Sequence, residues 1–181
     1  MNQRLACLLV LAGCKSSQHW EQRSGPTFTV LAPELAQINT IPLPSPDGPI
    51  PMVVYTYRNT LSESLQVQIG EVPKSSAPDQ AIAKIHDRIA SKSQLLAETT
   101  IQIGGVPGKD MRYLSEFPSF GKMTVHNRVL LYDRHIYQVM AVHRPDQPDL
   151  DAEADRFVES FAFTRAPVPP VVAPSVGSNG R

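Results

Sequence analysis

His126 and His143 are the two side chains of this 181-residue chain best placed to share a ligand. The segment between them reads as a hairpin turned at Asp133-Arg134, and a two-residue turn there pairs His126 with Ala141. His143 then stands diagonally across from His126 on the same face, about 7 to 8 Å away at the backbone, close enough for two imidazoles to meet one metal ion. No third or fourth ligand lies nearby in sequence, whereas structural zinc takes four ligands and catalytic zinc three plus water. The pair is therefore read as two polar residues near a sheet end, and no metal or other cofactor is expected. The acidic run Asp146, Asp149, Asp151, Glu153 and Asp155 has neither the turn glycine nor the closing glutamate of a calcium loop. Its first acids fall where a helix dipole favours negative charge, so it is read as a solvated helix N-terminus. Ser160 lacks a G-x-S-x-G elbow, and Gly104-Gly105 precedes a strand rather than a helix, which excludes the common nucleophile and phosphate-cradle motifs. Tyr55, Tyr57, Tyr113, Tyr132 and Tyr137 fall in expected strands and are read as cross-strand packing. No catalytic residue is assigned, and the chain is read as a non-enzyme.

Cys14 offers a different chemistry. Residues 1–4 carry one positive side chain, residues 5–12 form an uninterrupted apolar run, and small Ala12 and Gly13 precede the cysteine. The apolar run is far short of the roughly 20 residues that cross a hydrocarbon core as a helix. It reads as a signal segment, not a lasting anchor. Leu11-Ala12-Gly13-Cys14 resembles the lipobox of bacterial lipoproteins, which implies cleavage between Gly13 and Cys14 and a diacylglyceryl group on the Cys14 thiol. A deprotonated sulfur is the soft nucleophile such an alkylation needs. Buried acyl chains contribute about 0.8 kcal/mol per methylene, and two chains anchor where one is marginal. The membrane is thus the first expected partner, through Cys14.

Removal of residues 1–13 also removes Cys7, so the mature domain holds no disulfide and depends on a hydrophobic core. The full chain balances 17 basic against 17 acidic groups, and the loss of Arg4 leaves one net negative charge. Neither this balance nor any basic stripe offers an electrostatic footprint for nucleic acid. Residues 14–25 are polar after the cysteine and read as the lipidated residue and its tether. Residues 166–181 carry Pro167, Pro169, Pro170 and Pro174 without periodic apolar residues, and read as a disordered tail. One folded unit is expected over residues 26–165.

Within that unit the period is mostly two. Strands are expected at 28–31, ended by Pro33, and at 52–58, 65–72, 95–103, 109–117, 123–132 and 135–143. The Pro-rich run from Pro42 to Pro49 reads as a surface loop or hairpin tip. Ser76-Ala77-Pro78-Asp79 has capping-box spacing ahead of a helix with Ile82, Ile85 and Ile89 on one stripe. Ile136-Tyr137-Gln138-Val139-Met140-Ala141-Val142 is apolar on both faces, as a central strand covered on both sides would be. Pro148-Asp149-Leu150 opens a last helix with Leu150, Ala154, Phe157 and Phe161 on one stripe.

Phe28-x-Val30-x-x-Pro33, the central helix, Gly105-x-Pro107-Gly108, Arg134-x-Ile136-Tyr137-Gln138 and Arg156-Phe157-Val158-x-Ser160-Phe161-x-Phe163 together resemble the PsbP-like superfamily. That group also holds bacterial lipoproteins of the DcrB kind and the Ran-binding Mog proteins. The resemblance covers residues 28–163, with Asp133 standing where a glycine is often found. It implies an α+β fold, an antiparallel β-sheet flanked by helices in an α/β/α sandwich, and no reaction. The expected function is a membrane-anchored, non-catalytic binding or accessory module of the bacterial cell envelope, with an envelope protein as partner and the domain exported to the periplasmic or surface side. The alternative is a small-ligand or lipid-binding module with a pocket between the sheet and the 42–51 loop, and a metal-dependent hydrolase ranks below both. An exposed apolar patch favours the first and a concave pocket the second.

Overall fold

The computed structural model describes residues 19–45 and 47–164. The signal segment, Gly13, Cys14 and the 166–181 tail lie outside the described residues. The larger of two sheets has seven antiparallel strands in the order β3-β4-β5-β9-β8-β7-β6, where β3 is Gln37–Leu43, β4 Ile50–Asn59, β5 Glu63–Glu71, β6 Gln94–Ile103, β7 Val106–Phe117, β8 Gly121–Tyr132 and β9 His135–His143. The smaller sheet joins β1 (Glu21–Ser24), β2 (Phe28–Ala32) and β10 (Ala162–Phe163), with β2 in the middle. Two helices, α1 (Ala81–Lys92) and α2 (Pro148–Glu159), complete the α+β fold.

Strand β9, apolar on both faces, is the fourth of seven and is covered on each side. Tyr137, Val139 and Ala141 face a core built with Leu65, Val67, Leu130, the small sheet's Phe28 and Val30, and α2's Phe157 and Val158. Its alternate residues Ile136 and Val142 face a second core with Met111, Val125 and Val129, onto which Ile82, Ile85 and Ile89 of α1 pack. Each sheet face therefore buries one helix stripe, which is why both helices are amphipathic. Asp133 and Arg134 turn β8 into β9 with φ of 47° and 60°, the left-handed pair of a type I′ hairpin. The turn sets the expected register, with His126 opposite Ala141.

Several boundaries differ from expectation. β1 lies within the stretch read as tether: Glu-Gln-Arg-Ser has no apolar residue to announce a strand, yet it pairs with β2 from Glu21↔Ala32 to Ser24↔Thr29. β3 was not foreseen, and it takes Pro42 and Leu43 into a hairpin with β4, leaving a shorter tip. Pro107 and Gly108 belong to β7, and Gly104-Gly105 alone make the turn from β6. The capping box does not form. A 3-10 turn, Pro78–Gln80, precedes α1, whose first residue is Ala81 and whose start has no side-chain cap.

Candidate binding groove and the charged layer on the opposite face

On the α1 face, the helix covers β6 to β8 and leaves a channel beside β3, β4 and β5. The helix stripe turned toward that channel is Ala81, Lys84, Ile85 and Arg88, spaced three and four apart as neighbours on one face. The facing wall comes from the sheet: Leu43, Ile50, Met52, Val72 and Ile136 supply apolar surface, and Gln68 and Gln138, directly paired between β5 and β9, supply amides. Together they line a half-open cavity of about 350 Å³. Gln68 Nε2 donates to Gln66 Oε1 at 2.9 Å, and Gln66 Nε2 donates to Ser64 Oγ at 2.9 Å, so a row of amides runs from the cavity floor along β5. Ser76, whose N–H bonds Pro73 O instead of capping α1, closes one end beside Glu71.

Lys84 and Arg88 are exposed and make no salt bridge among the described residues. The more buried cations do pair: Arg58, Arg112 and Arg128 each hold a carboxylate within 2.7 Å. On the same sheet face Ile41 and Leu43 of β3 are about two-fifths exposed, which carries the apolar surface past the cavity to an edge strand.

The other face holds most of the buried charge. His126, only 2% exposed, contacts Asp110 Oδ1 through Nε2 at 2.8 Å and Asp155 Oδ1 through Nδ1 at 2.9 Å. Arg128 Nε donates to Asp110 Oδ2 at 2.6 Å, and Arg112 Nη2 reaches Asp155 at 2.6 Å. Burial works to raise the Asp110 carboxyl, but the His126 and Arg128 hydrogen bonds outweigh it and hold the group at about 2. His143 Nε2 meets Asp151 at 3.1 Å instead. Near it, the bulge between Thr56 and Arg58 turns Arg58 inward, where Nη1 donates to Glu63 at 2.5 Å and Glu153 at 2.7 Å. Burial raises the Glu63 carboxyl, with Arg58 opposing it.

The two histidines thus share a face, as the hairpin register requires, but each is engaged by its own carboxylates. No group of three or more His, Cys, Asp or Glu among the described residues is arranged to hold a metal. His143 is the last residue of β9, at the sheet end as expected, whereas His126 lies within β8; both are buried. The first acids of the run stand as expected, Asp149 and Asp151 in the first turn of α2 and Asp146 and Asp149 exposed, but Asp151, Glu153 and Asp155 also reach back to His143, Arg58 and His126 on the sheet and latch α2 to it. Ser160 accepts from Leu31 N–H at 2.8 Å and donates to Phe157 O at 2.7 Å, tying α2 to β2. The tyrosines pack between layers more than across strands: Tyr55 meets Phe28, Tyr57 meets Phe157, and Tyr137 meets Phe161 and Phe163. Burial pushes the Tyr57 hydroxyl up to about 12.

A pocket is expected beside the 42–51 loop, and Leu43, Pro44, Ser45 and Ile50 do line the cavity. Lys84, Arg88, Gln68 and Gln138 line it as well and are not among the residues expected there. The i, i+4 spacing of Lys84 and Arg88 beside Ile85 was the available signal.

By architecture the protein is an α+β domain with an antiparallel sheet between two helices. The fold is PsbP-like: it is similar to that of cyanobacterial PsbP (CyanoP) from Synechocystis sp. PCC 6803, at a TM-score of 0.54, 15% sequence identity, and coverage of 86% of this chain and 98% of that one. A protein of unknown function, PA94 from Pseudomonas aeruginosa, superposes with a TM-score of 0.42 at 13% identity, over 75% of this chain and 90% of that one. No protein-family model and no curated protein matches the sequence.

Proposed function

We propose that this chain is an exported bacterial lipoprotein of the PsbP-like group that includes the DcrB and Mog proteins. On this reading it is cleaved between Gly13 and Cys14, tethered through a thioether lipid on Cys14, and serves as a non-catalytic binding module of the cell envelope. The observation that carries the binding role is the groove between α1 and the β3–β5 strands, with apolar walls, amides on its floor, and Lys84 and Arg88 at its rim. Its occupant is an apolar, carboxylate-bearing segment of an envelope protein. Charge complementarity to the two cations favours the carboxylate, and continuity of the apolar surface with the exposed edge strand β3 favours an extended chain. The small-ligand reading draws on the cavity itself, whose 350 Å³ lies at the low end of the range typical of ligand pockets, about 300–1,000 Å³.

The test is photo-crosslinking in intact cells from a benzophenone side chain at Ser76 in the full chain, with Thr99 on the opposite face as control. One discrete protein adduct is expected from position 76, absent from position 99 and lost when Lys84→Glu and Arg88→Glu are combined. Equal adducts from both positions, or one indifferent to charge reversal, overturn the groove as a protein site. A small molecule retained in native mass spectrometry and displaced by Ile85→Trp establishes the ligand reading instead.

A further inference from the structure

We infer that the end of the domain bearing Leu35 and Leu61 lies on the bilayer, with both side chains in the interfacial region of the lipid. This rests on anchoring through Cys14. The packed unit starts earlier than composition suggests: Trp20 packs against the main core and covers Arg58 and Arg156, at 5.9 and 4.8 Å from its ring centroid, and β1 follows at Glu21. Six residues separate Cys14 from Glu21, so at about 3.3–3.6 Å per residue the domain starts no more than about 25 Å from the lipidated sulfur. A tether this short selects which end of the domain meets the membrane.

That end is fixed by the register. Glu21 pairs with Ala32, the link that follows runs through Glu34, and Glu34 lies 3.7 Å from Arg58 at the end of β4. The β4–β5 turn is there too, its Ser62 O bonded by Arg144 N–H. Leu61 in this turn is 77% exposed and Leu35 in the β2–β3 link is 76% exposed, while the other large exposed apolar residues range from 37% to 61%. The two most exposed large apolar side chains among the described residues therefore sit where the anchor enters. Charge at this end is mixed, Arg144 and Arg156 against Glu34 and Asp146, so contact comes from apolar insertion and does not require anionic lipid. The groove is at the opposite end of β4, whose ten residues span about 30 Å at the usual rise, and it faces away from the bilayer.

The experiment uses the lipidated full chain in phosphatidylcholine vesicles containing a doxyl-labelled lipid. Since Cys7 is removed and Cys14 is alkylated, Leu35→Cys, Leu61→Cys and the groove control Lys84→Cys each carry a single reactive thiol for an NBD probe. Probes at 35 and 61 are expected to shift to the blue and to be quenched several-fold more than the probe at 84. All three sites are exposed, so circular dichroism is expected to match the unsubstituted chain. Equal quenching at the three sites in a protein that floats with the vesicles overturns the orientation while leaving the anchor intact. A chain that does not float overturns the Cys14 anchor, and this inference with it.

Discussion

Arg58 is the side chain on which the buried charge of the α2 face depends most. It is 6% exposed, and its partner Glu63 is 3% exposed, so neither charge has water to fall back on. Removing one member of such a pair leaves the other buried and uncompensated, which costs about 3–5 kcal/mol, whereas removing both is far milder. Arg58→Met is expected to lower unfolding stability in urea by that amount, and Glu63→Gln in the same background to restore at least half of it. Asp110 makes a related statement about pH. Its folded carboxyl titrates at about 2 against an ordinary 3.8, so its contribution of about 2 kcal/mol is fully present above about pH 4 and is lost as the pH falls through 2. Asp110→Asn is expected to flatten the acid limb of stability over that window; an unchanged acid limb would show that the His126 and Arg128 contacts do not set it.

Strand pairing places these residues, and one backbone approach within it tolerates no side chain. A Cβ on Gly108 would lie 2.4 Å from Val129 O and 2.7 Å from Leu130 Cδ2, across the β7–β8 pair. Backbone cannot yield as a flexible side chain can, so Gly108→Ala is expected to cost about 2–3 kcal/mol, read as a lower thermal midpoint. The same pairing shows what sequence could reveal. The β8–β9 hairpin was legible because a two-residue turn at Asp133-Arg134 and alternating apolar residues determine one register, and that register put His126 beside Ala141. β3 was not legible, since an edge strand exposed along its whole length shows no alternation and Pro42 argues for a loop. The capping box failed for a local reason, Pro78 opening a 3-10 turn that delays α1 to Ala81. Half of the groove could be read from the Lys84, Ile85 and Arg88 stripe. Its other wall could not, because Met52, Val72 and Ile136 come from three strands whose proximity depends on the assembled sheet.

At the scale of the whole molecule, the proposed attachment point and the folded cores fall in different parts of the chain, and this makes the anchor testable without disturbing the domain. Every buried residue of both cores lies between Phe28 and Phe161, and Trp20 is the first residue to pack against them. Cys14 precedes the first of these residues in sequence, so on the proposed lipidation Cys14→Ser removes a thioether and leaves every core residue unchanged. The unfolding free energy of the exported variant, measured in urea, is therefore expected to match the native chain within about 0.5 kcal/mol, as for a substitution at an unpacked site. Its distribution is expected to change completely. No helix among the described residues is long and apolar enough to cross a membrane, and the net charge near zero gives no strong electrostatic pull toward lipid headgroups. On the proposed lipidation, retention depends on acyl chains at Cys14, since two or more chains make attachment stable, and on the proposed orientation their loss leaves only the weak contact of Leu35 and Leu61. Fractionation and intact-mass measurement should find native chain in the membrane, lacking residues 1–13 and carrying acyl mass, and the Cys14→Ser chain released and unacylated. A Cys14→Ser chain that stays with the membrane would place the anchor elsewhere, and with it the choice of which end of the sheet faces the lipid.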